Sequence, residues 1–138
     1  MRKIQLGVST LLNKQNIINI LNEEQYPKNE YWITAGAGLV MHGVKSETND
    51  IDIGGSTFLT ERLINEGKEW RIANDGTRIV IVNDHIELLE NWCNDCIVEI
   101  NGFPVSSLDG IRHQKVNLNR QKDWDDIQLI DDFIRQKT

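Results

Sequence analysis

Asp50 and Asp52 stand two residues apart in the run Asp50-Ile51-Asp52-Ile53. On a strand, alternate side chains share a face, so this spacing predicts both carboxylates on one side and both isoleucines on the other. Paired carboxylates beside buried isoleucines repel each other and resist desolvation unless a positive charge sits between them. A hard divalent cation with oxygen ligands, Mg2+ or Mn2+, meets that need. Asp-x-Asp is also common at solvated strand ends, so the pair gains meaning only from what surrounds it.

Upstream, Ala35-Gly36-Ala37-Gly38 follows the strand-like Tyr31–Thr34 and precedes a short apolar run. Small residues at the start of a helix let backbone N–H groups approach an anion, and the helix dipole favours it. Gly36 and Gly38 are the residues that would let a phosphate approach the backbone closely. The alternative is a tight strand-to-helix connection with no ligand. A dinucleotide fingerprint fits poorly, because the third glycine of G-x-G-x-x-G falls on Met41, and no Gly-Lys-Ser/Thr follows to make a P-loop.

Two further acids share the apolar–acid–apolar form: Glu87 in Ile86-Glu87-Leu88 and Glu99 in Val98-Glu99-Ile100. Either could lie beside the Asp50–Ile53 strand. Glu87 is preferred, because Leu88 and Leu89 read as core-facing while Glu99 abuts a hairpin turn. Lys115, Arg120 and Lys122 precede or adjoin Asp123 and Asp126. These cations could hold a triphosphate or equally neutralise the helix-borne acids. His42 and His113 read as structural or exposed, and no nucleophile–histidine arrangement has credible spacing.

The chain has 138 residues, 39% hydrophobic and 26% charged, with a net charge of -6. That predicts one domain, residues 1–138, able to bury its own core. An acidic chain is a poor general binder of nucleic acid, although a metal would locally offset the charge and admit a nucleotide. Cys93 and Cys96 form one C-x-x-C. A closed zinc site needs two more ligands, and His42, His85 and His113 are not at ligand spacing, so ordinary thiols of a reducing cytosol are expected. The basic N-terminal run is interrupted at Asn13-Lys14-Gln15, which predicts neither a signal peptide nor a membrane span, and a cytoplasmic location.

The elements that must position these residues can be read in order. Apolar spacing predicts a helix from about Thr10 to Glu24, capped by Ser9 or Thr10. Then come a strand at Tyr31–Thr34, a short helix at Leu39–His42 closed by Gly43, and the Asp50–Ile53 strand released by Gly54-Gly55. A helix through Glu66 follows, capped by Ser56 or Thr57. Strands are expected at Glu69–Ala73, Arg78–Val82 and His85–Leu89, with a turn at Asn74-Asp75-Gly76. Asn101-Gly102 turns a hairpin between Ile97–Ile100 and Phe103–Val105. One helix runs from Ser106 or Ser107 to Asn117, and Arg120–Lys122 links it to a last helix, Trp124–Arg135, capped by Asp123. The order implies an α/β (α+β) fold: a mixed β-sheet flanked by helices, with helices at the C-terminus.

Together, Ile33-Thr34-Ala35-Gly36, Asp50-Ile51-Asp52, Glu87 and the tail Lys115…Arg120-Gln121-Lys122-Asp123-Trp124-Asp125-Asp126-Ile127 resemble the nucleotidyltransferase superfamily of the DNA-polymerase-β type. Two features depart from its first motif: Ala35 stands where the family has the first glycine, and no serine follows Gly36. The run Gly38–Ile53 is similar to small bacterial and phage members, among them the AbiEii-toxin-like and lincosamide-resistance-like groups. The resemblance spans about Tyr31 to Phe133. It implies that Asp50, Asp52 and Glu87 hold Mg2+ or Mn2+, and that Gly36, Ala37, Lys115, Arg120 and Lys122 hold a nucleoside triphosphate such as ATP. It implies transfer of a nucleoside monophosphate to a hydroxyl on a small molecule, protein or RNA. A second reading keeps the fold without catalysis, as an antitoxin-like or regulatory module with a protein partner or as a homo-oligomer; a dinucleotide-binding module is a weaker third.

Overall fold

The computed structural model describes residues 11–137, and Ser9 and Thr10 lie outside them. The first helix, α1 (Lys14–Glu24), begins later than its apolar spacing suggests. Asn13 is the cap: its side chain accepts from Asn16 N–H, and the Asn16 side chain answers by accepting from Asn13 N–H. This reciprocal pair satisfies two otherwise orphan donors and stops the helix from extending back. Leu11 and Leu12 are therefore not helical. Leu12 instead makes a two-bond bridge with Thr48, pinning the loop that leads to Asp50.

Among the described residues, seven strands form one sheet: β1 (Tyr31–Thr34), β2 (Ile51–Gly55), β3 (Trp70–Ile72), β4 (Arg78–Ile81), β5 (Ile86–Glu90), β6 (Ile97–Ile100) and β7 (Phe103–Ser106). Their order is β3-β4-β5-β2-β1-β7-β6. The sheet is mixed: β2 runs parallel to β5 and β1 parallel to β7, while β1/β2, β4/β5, β3/β4 and β6/β7 are antiparallel. The strands' Ile and Val residues predict them, and the Asn101-Gly102 hairpin is where the sequence puts it.

Helices α2 (Ala35–His42) and α3 (Thr57–Asn65) join α1 over one face. Ile17, Leu21, Val40, Met41, Leu59 and Leu63 meet Ile33, Ile51, Ile53, Ile86, Leu88 and Val105 there. The alternation of β2 places Ile51 and Ile53, both fully buried, in this core and Asp52 on the opposite face. Leu88 joins the core as expected, but Leu89 lies on the Asp52 face, because neighbours on a strand cannot both point inward.

Helices α4 (Leu108–Leu118) and α5 (Gln121–Lys137) pack on the other side of α2 through Leu39, Ile111 and Ile130. Ser107 caps α4, accepting from Gly110 N–H at 3.0 Å. The helix α5 begins at Gln121 rather than Trp124. Asp123 is thus inside its first turn, with its carboxylate reaching back to the Arg120 N–H. The expected basic link shrinks to Asn119-Arg120, and Lys122 becomes helical.

Glycines 54 and 55 belong to β2 rather than ending it. A methyl on Gly54 would come within 2.0 Å of Trp32 Nε1 and 2.6 Å of the Trp92 carbonyl, which Trp32 hydrogen-bonds at 2.7 Å. Gly54→Ala is expected to break this bond by overpacking and to destabilise the protein by about 2 kcal/mol in urea unfolding. An unchanged midpoint would show that the two tryptophans can part without loss.

Candidate active site

The strand order brings Asp52 and Glu87 side by side. They are direct partners in the parallel β2–β5 register, so their side chains leave the same face of the sheet. Glu99 sits on β6 at the far edge, with β7 and β1 between it and β2. Asp50 differs from its expected place: β2 begins at Ile51, and Asp50 ends the preceding loop. Its carboxylate comes near Asp52 because the Leu12–Thr48 bridge and the Ile51 N–H bond to the His85 carbonyl fix that loop, not because strand alternation aligns the two.

On the other side, Thr34 of β1 is the register partner of Asp52 and the N-cap of α2. The glycine-rich turn is the first turn of α2 itself, not a loop ahead of a helix at Leu39. Its leading N–H groups have no intrahelical acceptor. Thr34 does not supply one either, because its side chain makes no capping bond. Thr34 Oγ1 is buried and has no hydrogen-bond partner among the described residues. Gly36 lines the site, and a methyl there would meet Thr48 Oγ1 at 2.9 Å. Ala37 is buried in the core, so only its backbone N–H could serve a ligand.

Ala35 has φ = +52°, in the left-handed region. Here a β-carbon costs on the order of 1–2 kcal/mol, which glycine avoids. The bend that opens α2 is thus retained under strain, at the turn where such strain is characteristic of sites.

The cations arrive from α4 and α5. Lys115 Nζ lies 2.9 Å from Asp126 and 3.5 Å from Asp123 and is almost wholly buried. Arg120 grips Asp123 with two bonds, at 2.6 and 3.1 Å. Burial opposes the charge on Asp123, but the Arg120 hydrogen bonds and the charges of Arg120 and Lys115 outweigh it and hold the carboxyl below its usual range. These cations do neutralise helix-borne acids. They also line, with Lys122, Asp50, Asp52 and Gly36, a cleft of about 410 Å³. Lys45, which nothing in its polar loop singles out, lines the same cleft and pairs with Asp126 at 3.4 Å.

Burial pushes the Asp52 carboxyl up to about 6, with the charges of Asp50 and Glu87 adding to it and those of Lys115 and Lys122 opposing. Glu87 faces Arg71 of β3 at 3.5 Å, both groups being well exposed. Among the described residues no three His, Cys, Asp or Glu side chains gather tightly enough to hold a metal by themselves. The donor set instead suits a cation that keeps waters and substrate phosphates as ligands, as Mg2+ does when one or two carboxylates bind it. Asp50 and Asp52, beside cationic side chains that fit phosphate, match that chemistry. The two cysteines are free thiols. His42 has a structural bond to the Ser106 carbonyl at 2.8 Å. No helix of the described residues is long and apolar enough to cross a membrane.

Similar architecture occurs in the crystal structure of a provisionally assigned nucleotidyltransferase (TM1012) from Thermotoga maritima. The match has a TM-score of 0.56 at 18% identity and covers 85% of this chain and 93% of that one. The fold is nucleotidyltransferase-like: among the described residues, a mixed seven-stranded α/β sheet with five helices. No protein-family model matches the chain, and no curated protein does.

Two outcomes follow. A carboxyl whose pKa is raised on folding supports the folded state fully below about pH 4, and that support is lost as pH rises through about 6. Asp52→Asn removes the ionised form, so the metal-free variant should exceed the wild type by about 2 kcal/mol at pH 8 and match it near pH 4. Equal stability at pH 8 would contradict a strained Asp52. Ala35→Gly should stabilise by about 0.5–1 kcal/mol, the relief of strain less the entropy of glycine, measured by thermal melting.

Proposed function

We propose that the protein is a metal-dependent nucleotidyltransferase that moves a nucleoside monophosphate from a nucleoside triphosphate to an acceptor hydroxyl. The observation that carries this reading is the meeting of opposites at one point. A carboxylate pushed up to about 6 by burial and by two neighbouring acids stands at the wall of a cation-lined cleft, beside a helix N-terminus. A purely structural role gives no reason for that arrangement, since an unpaired buried acid lowers stability and gives nothing back until a cation arrives.

In this reading the cleft holds the triphosphate. The first-turn N–H groups of Gly36 and Ala37 face its oxygens with the favourable end of the α2 dipole. Lys115, Arg120 and Lys122 balance its charge. Asp50 and Asp52 would hold Mg2+ or Mn2+, with Glu87 on the acceptor side. When bound, the metal supplies Lewis-acid activation of the acceptor oxygen and stabilisation of the leaving pyrophosphate.

The acceptor oxygen forms a bond to the α-phosphorus. The bond from that phosphorus to the bridging oxygen breaks, and its electron pair leaves with pyrophosphate. The hydroxyl proton passes to a carboxylate, for which Glu87 stands on the β5 side of Asp52. Its present partner, Arg71, is an exposed ion pair, and such pairs are worth little, so Glu87 is readily released. Positioning and charge balance are most of what phosphoryl transfer needs, and a small domain can provide both.

Calorimetry with Mn2+ and each ribonucleoside triphosphate tests the reading. Wild type should bind at least one, while Asp50→Asn and Asp52→Asn should each weaken binding by at least about tenfold. Affinity should rise with pH through about 6, as the metal displaces the Asp52 proton. Absence of binding to every nucleotide would sink the proposal.

A further inference from the structure

A second cleft, of about 520 Å³, opens on the other side of Asp52. It lies between the β3–β4 turn and the C-terminal end of α4, and it shares only Asp52 and Arg120 with the cation-lined cleft. Its chemistry is different. Ile79, Leu89, Trp92 and Leu118 make its walls, and Asn74 and Asp75 stand at the turn. Among the described residues its only cation is Arg120, which it shares with the cation-lined cleft. The register puts Ile79 opposite Leu89, and Leu89 two residues beyond Glu87, so this cleft continues the sheet face that carries Asp52 and Glu87.

We propose that this cleft binds the acceptor, and that the acceptor is a small hydroxyl-bearing molecule with an apolar body and no net negative charge. The inference rests on the triphosphate occupying the cation-lined cleft. In-line displacement places the attacking and leaving oxygens on opposite sides of the phosphorus. With pyrophosphate leaving toward Lys115 and Lys122, the attacking hydroxyl comes from the opposite side of Asp52, where the second cleft opens. The volume suits a small molecule, since ligand pockets commonly span about 300–1,000 Å³. Apolar walls reward burial of an apolar or aromatic body. Asp52 and Asp75 repel an anion, and with no further cation among the described lining residues the phosphates of an RNA acceptor find no partners.

Three phenols of matched shape test this: tyramine, 4-ethylphenol and 4-hydroxyphenylacetate, which are cationic, neutral and anionic. Amide chemical shifts are followed in the full chain by NMR, with Mg2+ and inorganic tripolyphosphate as the probe of the other cleft. Tyramine and 4-ethylphenol should move the Thr77, Leu89 and Leu118 amides, and 4-hydroxyphenylacetate should not. Tripolyphosphate should move Gly36 and Thr48 instead. Leu118 is partly exposed, so its substitution is compatible with folding. Leu118→Ser should weaken tyramine about fivefold by removing apolar wall, and Leu118→Met should restore it. Neither should change tripolyphosphate binding. The inference is overturned if the neutral and cationic phenols leave those amides unmoved. It is overturned equally if adenosine or uridine moves them, marking a nucleobase site, or if a single-stranded RNA oligomer competes with tyramine. Loss of tripolyphosphate binding alone would instead count against the proposed function, because the phenols do not depend on it.

Discussion

The constraint on which the rest depends is a carboxylate held against its chemistry. Strand β2 must bury Ile51 and Ile53 to build the core, and the period of two then forces Asp52 onto the opposite face, between Thr34 and Glu87. No rotation of the strand can relieve it, because a shift of one residue would expose both isoleucines. The core thus fixes the acid half-buried between its neighbours, where water solvates it only from the cleft side. The neighbouring structure can be understood as what gathers around a fixed, under-solvated negative charge: two more acids that share its site, and cations brought in from another layer.

Those cations come from helices that barely touch the sheet. Helices α4 and α5 reach the site by packing on α2, through Leu39, Ile111 and Ile130. Gly38 makes that packing close, because a methyl there would meet Ile111 at 2.7 Å. So α2 has two jobs. Val40 and Met41 on one side join the main core, while Leu39 on the other carries the C-terminal pair. Its N-terminus is aligned on the cleft as a consequence of both packings, which a single helix–sheet contact would not guarantee.

This division explains what is legible in the sequence. The strands, the hairpin at Asn101-Gly102 and the Asp-x-Asp are readable, since each is specified by residues adjacent in the chain. The choice of Glu87 over Glu99 is only a preference at that level, because it depends on strand order, which local patterning does not contain. Helix starts escape the apolar pattern wherever a polar side chain closes a cap over a gap of three: Asn13 with Asn16, and Asp123 with the Arg120 N–H. The glycine-rich turn escapes it for another reason. Two glycines argue against a helix by propensity, yet burial of Ala37, Leu39, Val40 and Met41 overrides it. Asp50 does lie near Asp52, but by a cause the spacing does not contain: it is a loop residue held by the Leu12–Thr48 bridge. Thr34 sits just where a cap residue belongs, so its position is a usable signal; Lys45 and Trp92 carry none.

The double use of Lys115 and Arg120, as partners of aspartates and as walls of the cleft, is not a contradiction. A buried ion pair adds little to stability, because desolvation offsets attraction, but it does fix geometry. Guanidinium has five N–H donors, and Asp123 takes two of Arg120's side-chain donors. Ammonium has three, and Asp126 at 2.9 Å and Asp123 at 3.5 Å engage at most two of Lys115's. Each cation therefore keeps donors for an anion while its position is held by the protein. A free lysine on a flexible stem would have to be ordered when the ligand binds. Here that ordering is complete before any ligand arrives, in the same fold that holds Asp52 in place.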